Sequence, residues 1–234
     1  MGDHATPLRL ASPNAGIAMA LPQRRAARQS MRTSVLVPCA PSHVRLLPAL
    51  LRSLTAQTQR PDEIIVATGG RPNLSELARI APVRIVLTSP RANASTNRNL
   101  AADASTGAIL IYQDADDVPH PQRVALIKAA FEWYDIDHLM HYFTYDPKPL
   151  SRRHSDSAII LQRQDQYSFD LSVTNGNPAT SRRLHRTIWW NNDVTIGEDV
   201  DFNTRATSAF PGRSAILPLP LLHYRRQLSA TIAR

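Results

Sequence analysis

The sequence predicts an α/β protein built around a doubly wound, mostly parallel β-sheet. Between residues 33 and 112, four short apolar runs alternate with three segments of helical pattern. Strands and helices that alternate at this short spacing are typical of parallel strands joined by right-handed crossovers. Such sheets bind ligands beyond the carboxyl ends of their strands. The segments that follow each apolar run are therefore the first places to look for a site.

The first half begins with a predicted strand and a predicted helix. Residues 34–37 are an apolar run closed by Pro38, which suits a buried strand. The helix that follows has leucines on one face at i, i+3, i+4 and i+7, and it ends before Arg60-Pro61. Further apolar runs predict strands at 63–67, 83–87 and 108–112, and the segments between them predict helices at 74–80 and 94–104.

The second half of the chain mixes the two kinds of element. Its patterns predict helices at 122–134, 181–190 and 200–208, and strands at 138–145, 158–161 and 217–224. Mixed elements after a parallel half indicate a subregion on the same sheet rather than a separate domain. We therefore predict one domain over residues 33–234, with halves at 33–120 and 121–234.

Residues 1–32 differ in texture from the rest of the chain. They are rich in Ala, Arg, Pro and Ser without a clear period, which predicts a disordered, basic tail. The formal net charge is +8, and about half of it lies in this tail, so the excess over the remainder is mild and no nucleic-acid partner is expected. Whether the tail contacts a membrane stays open at this point. The single cysteine, Cys39, fits a reducing, cytoplasmic setting.

The acidic run after the fourth predicted strand is the sharpest chemical signal. Asp114, Asp116 and Asp117 lie within four residues of one another. Their mutual repulsion costs free energy unless water or a cation compensates it. Carboxylate oxygens of this kind suit Mg²⁺ or Mn²⁺, with substrate phosphates and water completing the shell. The alternative is a solvated turn whose acids cap the next helix.

The same segment carries a resemblance to a known family. Residues 109–119, ILIYQDADDVP, resemble the strand and acidic motif of family-2 glycosyltransferases, which have the Rossmann-like GT-A fold. Further similar segments follow the family's order from residue 33 to about residue 229: 34–38 (SVLVP), 50–59 (LLRSLTAQTQ), 61–66 (PDEIIV), 97–99 (NRN), 197–199 (GED) and 224–225 (YR). The resemblance implies a single GT-A domain with a nucleotide-binding half followed by an acceptor-binding half.

The resemblance also implies roles on the donor side. Asp116 and Asp117 would lie at the nucleotide ribose and the metal, with Asp117 favoured as the metal ligand, and Asp114 would support them. Arg98 would approach the diphosphate, and Pro38 would line the nucleotide pocket. The expected cofactor is Mg²⁺ or Mn²⁺, and the expected donor is a nucleoside diphosphate sugar.

Two donor-side positions remain open. Relatives carry an acid after the second strand that reads the nucleotide base, whereas Thr68 stands here and brings no charge, so the base is not determined. A late histidine completes the metal shell in some GT-A enzymes, which makes His223 a candidate ligand. A hydrogen-bonded structural histidine is the alternative for His223.

On the acceptor side, the resemblance assigns catalysis to Asp199 and Glu198. Asp199 would take the proton from the acceptor hydroxyl, and Glu198 would orient that hydroxyl or bind the acceptor, which is a glycan, a lipid or a protein glycan. A hydroxyl is a weak nucleophile and needs a carboxylate within hydrogen-bond reach. The implied reaction inverts the anomeric carbon. The alternative for Asp199 is an acid favoured at a helix start by capping or by the macrodipole.

The residues disfavour two other functions. A metal-dependent nucleotidyltransferase usually has a Gly-rich loop with Arg or Lys after its first strand, but residues 38–41 contain neither glycine nor a basic residue. A non-catalytic nucleotide-binding or RNA-binding relative is disfavoured because the acids are intact and no stripe of aromatic and basic residues is visible.

Trp189 and Trp190 could stack on a sugar or fill the core. His138 and His141 are spaced to lie on opposite faces of one strand, which argues against a shared metal.

Overall fold

The computed structural model describes residues 30–155, 159–168, 170 and 172–225. The strands in this part of the chain are β1 (Thr33–Cys39), β2 (Glu63–Thr68), β3 (Arg84–Leu87), β4 (Ile109–Tyr112), β5 (Val118–Pro119), β6 (His138–Thr144), β7 (Gln162–Gln164), β8 (Ala179–Ser181) and β9 (Ser214–His223). The α-helices are α1 (Leu47–Thr55), α2 (Leu74–Ile80), α3 (Ala94–Asp103), α4 (Arg123–Trp133), α5 (Arg182–His185) and α6 (Glu198–Ala209). The predicted tail lies almost entirely outside the described residues.

The strands form one continuous sheet. Their order is β3-β2-β1-β4-β8-β6-β9-β5, and β7 pairs with β9. The first four strands pair in parallel, and β6 and β9 pair in parallel as well, whereas β8, β5 and β7 run antiparallel to their neighbours. The prediction of a mostly parallel α/β sheet that extends into the second half is therefore confirmed.

The sheet is covered by helices on both faces, as the alternation of its buried residues shows. In β1, Val35 and Val37 pack with the apolar faces of α1, α2 and α4, while Leu36 packs on the opposite side with α3 and α6. In β4, Ile109 and Ile111 share the first side, and Leu110 shares the second. Side chains of successive strand residues point to opposite faces, so these short apolar runs fill two core layers at once.

Most predicted elements are found close to their expected positions, including α2 at 74–80. Two expectations in the second half were wrong. The helix predicted at 181–190 is only one turn long, because the chain leaves the helix to bury Trp190 in the core. The strand predicted at 158–161 is displaced: residue 158 lies outside the described residues, Ile159 and Leu161 are buried without strand pairing, and the pairing segment is β7. Apolar content predicted burial correctly but did not predict which residues would find a strand partner.

Within the described ranges, no helix has both the length and the apolar character needed to cross a membrane.

Candidate active site

Among the described residues, a cavity lies where the parallel strands β6 and β9 end next to the start of α6. Its volume is about 340 Å³. The residues that line it come from both halves of the chain: Arg98, Asp114, Phe143, Tyr145, Val173, Thr174, Asn175, Gly176, Asn177, Glu198, Asp199, Leu222 and Tyr224. It therefore joins the acidic segment after β4 to the Glu-Asp pair of α6, as expected for a ligand site at the carboxyl edge of such a sheet.

The three aspartates after β4 are held in a tight turn. The backbone N–H of Asp117 donates to the carbonyl oxygen of Asp114 (3.3 Å), and the Asp117 side chain is buried at 4% exposure, whereas Asp114 and Asp116 are partly exposed. Burial raises the pKa of Asp117 well above its ordinary value, and the charges of Asp114 and Asp116 raise it further. Burial also raises the pKa of Asp114, although Arg98 opposes that shift. The three carboxylates therefore repel one another, and the positive charge of Arg98 offsets this repulsion only at Asp114.

Arg98 connects the two ends of the cavity. It is 3% exposed on α3 and donates from Nη2 to Asp114 Oδ1 (3.1 Å) and from Nη1 to Glu198 Oε1 (3.2 Å). Its guanidinium carbon lies 4.2 Å from the centre of the Trp190 ring. Arg98 is therefore a buried residue, although an arginine on a helix is usually exposed. The described hydrogen bonds of Arg98 are to two carboxylates, so its approach to a diphosphate stays a prediction.

A second buried arginine lies beneath the aspartates. Arg123 is fully buried and donates to the carbonyl oxygens of Tyr112 and Asn177 (2.9 Å each), to Gln113 and to His141. Burial lowers the pKa of Arg123 to about 9, while the nearby acids act in the opposite direction. Sequence reasoning missed this residue because an arginine in the first turn of an amphipathic helix is usually exposed.

Asn177 is the other residue of the site that the sequence did not reveal. Its Oδ1 accepts from the backbone N–H of Asp114 (2.6 Å), and its Nδ2 lies 3.1 Å from both Asp114 Oδ2 and Asp117 Oδ2. It is 3% exposed and lies 63 residues from Asp114 in sequence. One amide thus sets the relative position of two carboxylates. No local motif around residue 177 signals such a long-range contact.

The charge balance and the donor set of the site fit a divalent cation. Among the described residues that line the cavity next to the start of α6, the carboxylates of Asp114, Glu198 and Asp199 face one cation, Arg98, while Asp117 lines a separate small cavity together with Arg225. Nevertheless, no group of three or more His, Cys, Asp or Glu residues in the described ranges is arranged to hold a metal ion. Magnesium commonly takes only one or two carboxylates and completes its shell with substrate phosphates and water. The arrangement therefore suits a cation that arrives with a phosphate-bearing ligand.

The Glu-Asp pair begins α6. Gly197 is the N-cap residue and has a left-handed backbone (φ 75°), which glycine adopts without strain. Asp199 lines the cavity, and its Oδ1 accepts from the backbone N–H of Val200 (2.9 Å). Capping does not explain Asp199, because the cap position belongs to Gly197. The helix macrodipole still favours an acid at this point.

Most donor-side candidates do not line this cavity: among the aspartates after β4 only Asp114 does, and Asp116, Asp117, Pro38, Thr68 and His223 do not. Pro38 is buried within β1, and Thr68 is fully buried at the end of the neighbouring β2, where its Oγ1 accepts from the backbone N–H of Gly70 (3.0 Å). His223 pairs with Val118 in the sheet and does not line the cavity, although Leu222 and Tyr224 on either side of it do. The expected roles of Pro38, Thr68 and His223 stay predictions.

The other aromatic and histidine candidates are largely structural. Trp190 is 1% exposed and stacks on Phe202 with ring centres 4.0 Å apart, so it fills the core. Trp189 is 45% exposed and does not line the cavity. His138 bonds to Asn203 of α6, whereas His141 accepts from Arg123 of α4. The two histidines thus lie on opposite faces of β6, as their spacing predicts.

Comparison with known proteins is consistent with this geometry. A model of the family described as "Glycosyl transferase family 2" matches residues 34–189. No curated protein matches the chain significantly.

Solved structures show the same fold at low sequence identity. TarS from S. aureus, in a complex with UDP, has a TM-score of 0.64 and 16% identity, over 83% of this chain and 60% of that one. Glucosyl-3-phosphoglycerate synthase from Mycobacterium tuberculosis, with Mn²⁺, UDP and glucosyl-3-phosphoglycerate, has a TM-score of 0.56 and 18% identity, over 87% and 75%. The mannosyltransferase PcManGT from Pyrobaculum calidifontis, with GDP-Man and Mn²⁺, has a TM-score of 0.55 and 20% identity, over 82% and 55%. The chain thus spans less than two thirds of the TarS chain.

Proposed function

The chain belongs to glycosyl transferase family 2, and from this premise we propose that it transfers a sugar from a nucleoside diphosphate sugar to an acceptor hydroxyl, with inversion at the anomeric carbon. One observation carries the proposal: Asp114 and Asp199 line the same cavity, although they are far apart in sequence. A site that transfers a group needs the leaving-group end and the acceptor end in one space. The complexes of TarS with UDP-GlcNAc and of the mannosyltransferase with GDP-Man support the donor class.

Asp199 is the proposed general base. Its carboxylate takes the proton of the acceptor hydroxyl while that oxygen forms a bond to the anomeric carbon. The bond from this carbon to the diphosphate oxygen breaks, and the electron pair leaves with the nucleoside diphosphate. Attack from the side opposite the leaving group inverts the anomeric carbon. Glu198, held by Arg98, is placed beside the base to orient the acceptor.

The donor end is assigned to the aspartates after β4. We propose that Asp116 and Asp117 hold Mg²⁺ or Mn²⁺ together with the donor diphosphate, and that Asp114 supports them. When bound, the cation supplies Lewis-acid neutralisation of the charge on the leaving diphosphate. The two complexes that contain Mn²⁺ support this assignment. Arg98 donates to Asp114 Oδ1 and Asn177 donates to Asp114 Oδ2, so both oxygens of this carboxylate are held.

Two isosteric substitutions test the assignment. Asp117→Asn and Asp199→Asn should each abolish release of nucleoside diphosphate in the presence of Mn²⁺, a sugar nucleotide and acceptor. Only Asp199→Asn should keep donor binding, measured as the rise in melting temperature on addition of the sugar nucleotide. Asp193→Asn is a matched control, because this exposed aspartate lies in the loop before α6 and does not line the cavity. Full transfer activity in Asp199→Asn would remove that residue from the mechanism.

A further inference from the structure

The cavity that Asp114 and Asp199 share has an aromatic wall to which neither the motifs nor the comparisons assign a role. Phe143, Tyr145 and Tyr224 all line the cavity. Their ring centres are 5.1 Å apart for Phe143 and Tyr145, 5.6 Å for Phe143 and Tyr224, and 5.9 Å for Tyr145 and Tyr224. We call these three side chains the aromatic platform.

The platform is built by the adjacent ends of two parallel strands. Phe143 lies near the end of β6, Tyr145 follows that strand, and Tyr224 follows β9. The backbone N–H of Tyr224 donates to the carbonyl oxygen of Thr144 (2.9 Å), which joins the two ends. Tyr145 is 48% exposed, unlike the aromatic residues of the core. Aromatic surface that remains exposed on rigid strand ends inside a cavity is typical of ligand sites.

The other lining residues of this cavity limit the charge of its ligand. Among the described residues that line it, Arg98 is the only cation, and both of its terminal nitrogens are bonded to carboxylates. The remaining charged residues are Asp114, Glu198 and Asp199. A phosphate or carboxylate group on the acceptor would face these acids, and among the described lining residues no cation is left to pair with it. Like charges at close range cost several kcal/mol.

From these observations we propose that the acceptor is an uncharged sugar ring that stacks on the aromatic platform and presents its hydroxyl to Asp199. A pyranose has an apolar C–H face, which suits aromatic rings, and equatorial hydroxyls, which suit carboxylate and amide acceptors. The cavity offers both, since Asn175 and Asp199 line it together with the platform. This inference rests on the proposed glycosyl transfer and specifies its acceptor class.

The platform and the site of donor cleavage can be tested separately. The donor is the sugar nucleotide that gives the largest thermal shift among UDP-glucose, UDP-N-acetylglucosamine and GDP-mannose with Mn²⁺. The acceptor probes are uncharged 4-nitrophenyl glycosides on one side, and glucose 6-phosphate and 3-phosphoglycerate on the other. Release of nucleoside diphosphate is measured with each probe and with water alone, for the wild type, Tyr145→Ala, Tyr145→Phe and Trp189→Ala.

The proposal expects transfer to uncharged glycosides and not to the phosphorylated probes. Tyr145→Ala should raise KM for the glycoside about tenfold, since a lost aromatic contact of roughly 1.4 kcal/mol corresponds to that factor. The KM for the glycoside should rise more than the KM for the donor, because the platform is assigned to the acceptor. Tyr145→Phe should restore most of the affinity because it keeps the ring. Trp189→Ala, an equally exposed aromatic outside the cavity, should behave as the wild type.

Different outcomes overturn different statements. An unchanged glycoside KM in Tyr145→Ala, or transfer only to phosphorylated probes, would overturn the assignment of the acceptor while leaving glycosyl transfer intact. A wild type that neither binds nor cleaves any sugar nucleotide would overturn the proposed function itself, and the acceptor assignment with it.

Discussion

Replacing Arg98 with methionine should destabilise the protein severely, because this guanidinium compensates two carboxylates. Methionine keeps much of the apolar stem over Trp190, so the change removes mainly the charge. Breaking a buried ion pair by removing one partner costs about 3–5 kcal/mol, because the other charge stays buried and unpaired. Here Arg98 is 4% exposed, but its partners Asp114 and Glu198 are 26% and 22% exposed and keep some contact with water. We therefore expect a loss at the lower end, about 3 kcal/mol.

The assay is equilibrium unfolding in urea at pH 7.5 with EDTA, so that no divalent cation compensates the acids. Arg205→Met is the matched control, because Arg205 pairs with Asp201 one helical turn away and is 35% exposed. Such exposed pairs contribute about 0–1 kcal/mol. A double mutant with Asp114→Asn should lose less than the sum of the single changes, by about 0.5–3 kcal/mol, as interacting pairs do. Equal losses for Arg98→Met and Arg205→Met would refute the view that Arg98 is an internal counter-charge.

Three further perturbations have defined outcomes. Asp117→Asn should leave the urea midpoint in EDTA unchanged or higher. The reason is that it removes a carboxylate whose pKa is raised by burial and by the neighbouring acids. A loss of stability above about 2 kcal/mol would contradict this view. Asn177→Leu should weaken the binding of Mn²⁺ and of the donor, measured by calorimetry, by about tenfold or more. This is the effect typical of groups that orient metal ligands. Asn175→Leu is the control and should not change the affinity for Mn²⁺. Burial lowers the pKa of His138 to about 4, whereas the unfolded value is about 6.5. Between these two pH values the unfolded state binds more protons than the folded state. The free energy of unfolding therefore falls as the pH drops from about 6.5 to about 4. The loss of stability attributable to His138 approaches about 3 kcal/mol at pH 4. His138→Gln should therefore make the urea midpoint less dependent on pH in this range. An unchanged dependence would show that His138 is not buried in its neutral form.

The parallel half of the fold was predictable because its signals are local. Each of the strands β1 to β4 contains at least three consecutive apolar residues, and the leucines of α1 repeat at helical spacing. The position of the acids was predictable for the same reason, since they directly follow β4. Predictions failed where tertiary burial overrode local preference, as when the chain left α5 after one turn to place Trp190 against Phe202.

By itself, the sequence determined the α/β class, the order of the first strands and helices, the acidic segment and the family resemblance, because these depend on residues close together in the chain. Only the tertiary structure decided which distant side chains surround the acids. The amide of Asn177, the guanidinium of Arg123 and the rings of Phe143, Tyr145 and Tyr224 reach the site through contacts between strands and loops. Such contacts depend on how the sheet is ordered and how deeply each side chain is buried, and neither leaves a periodic trace in the sequence.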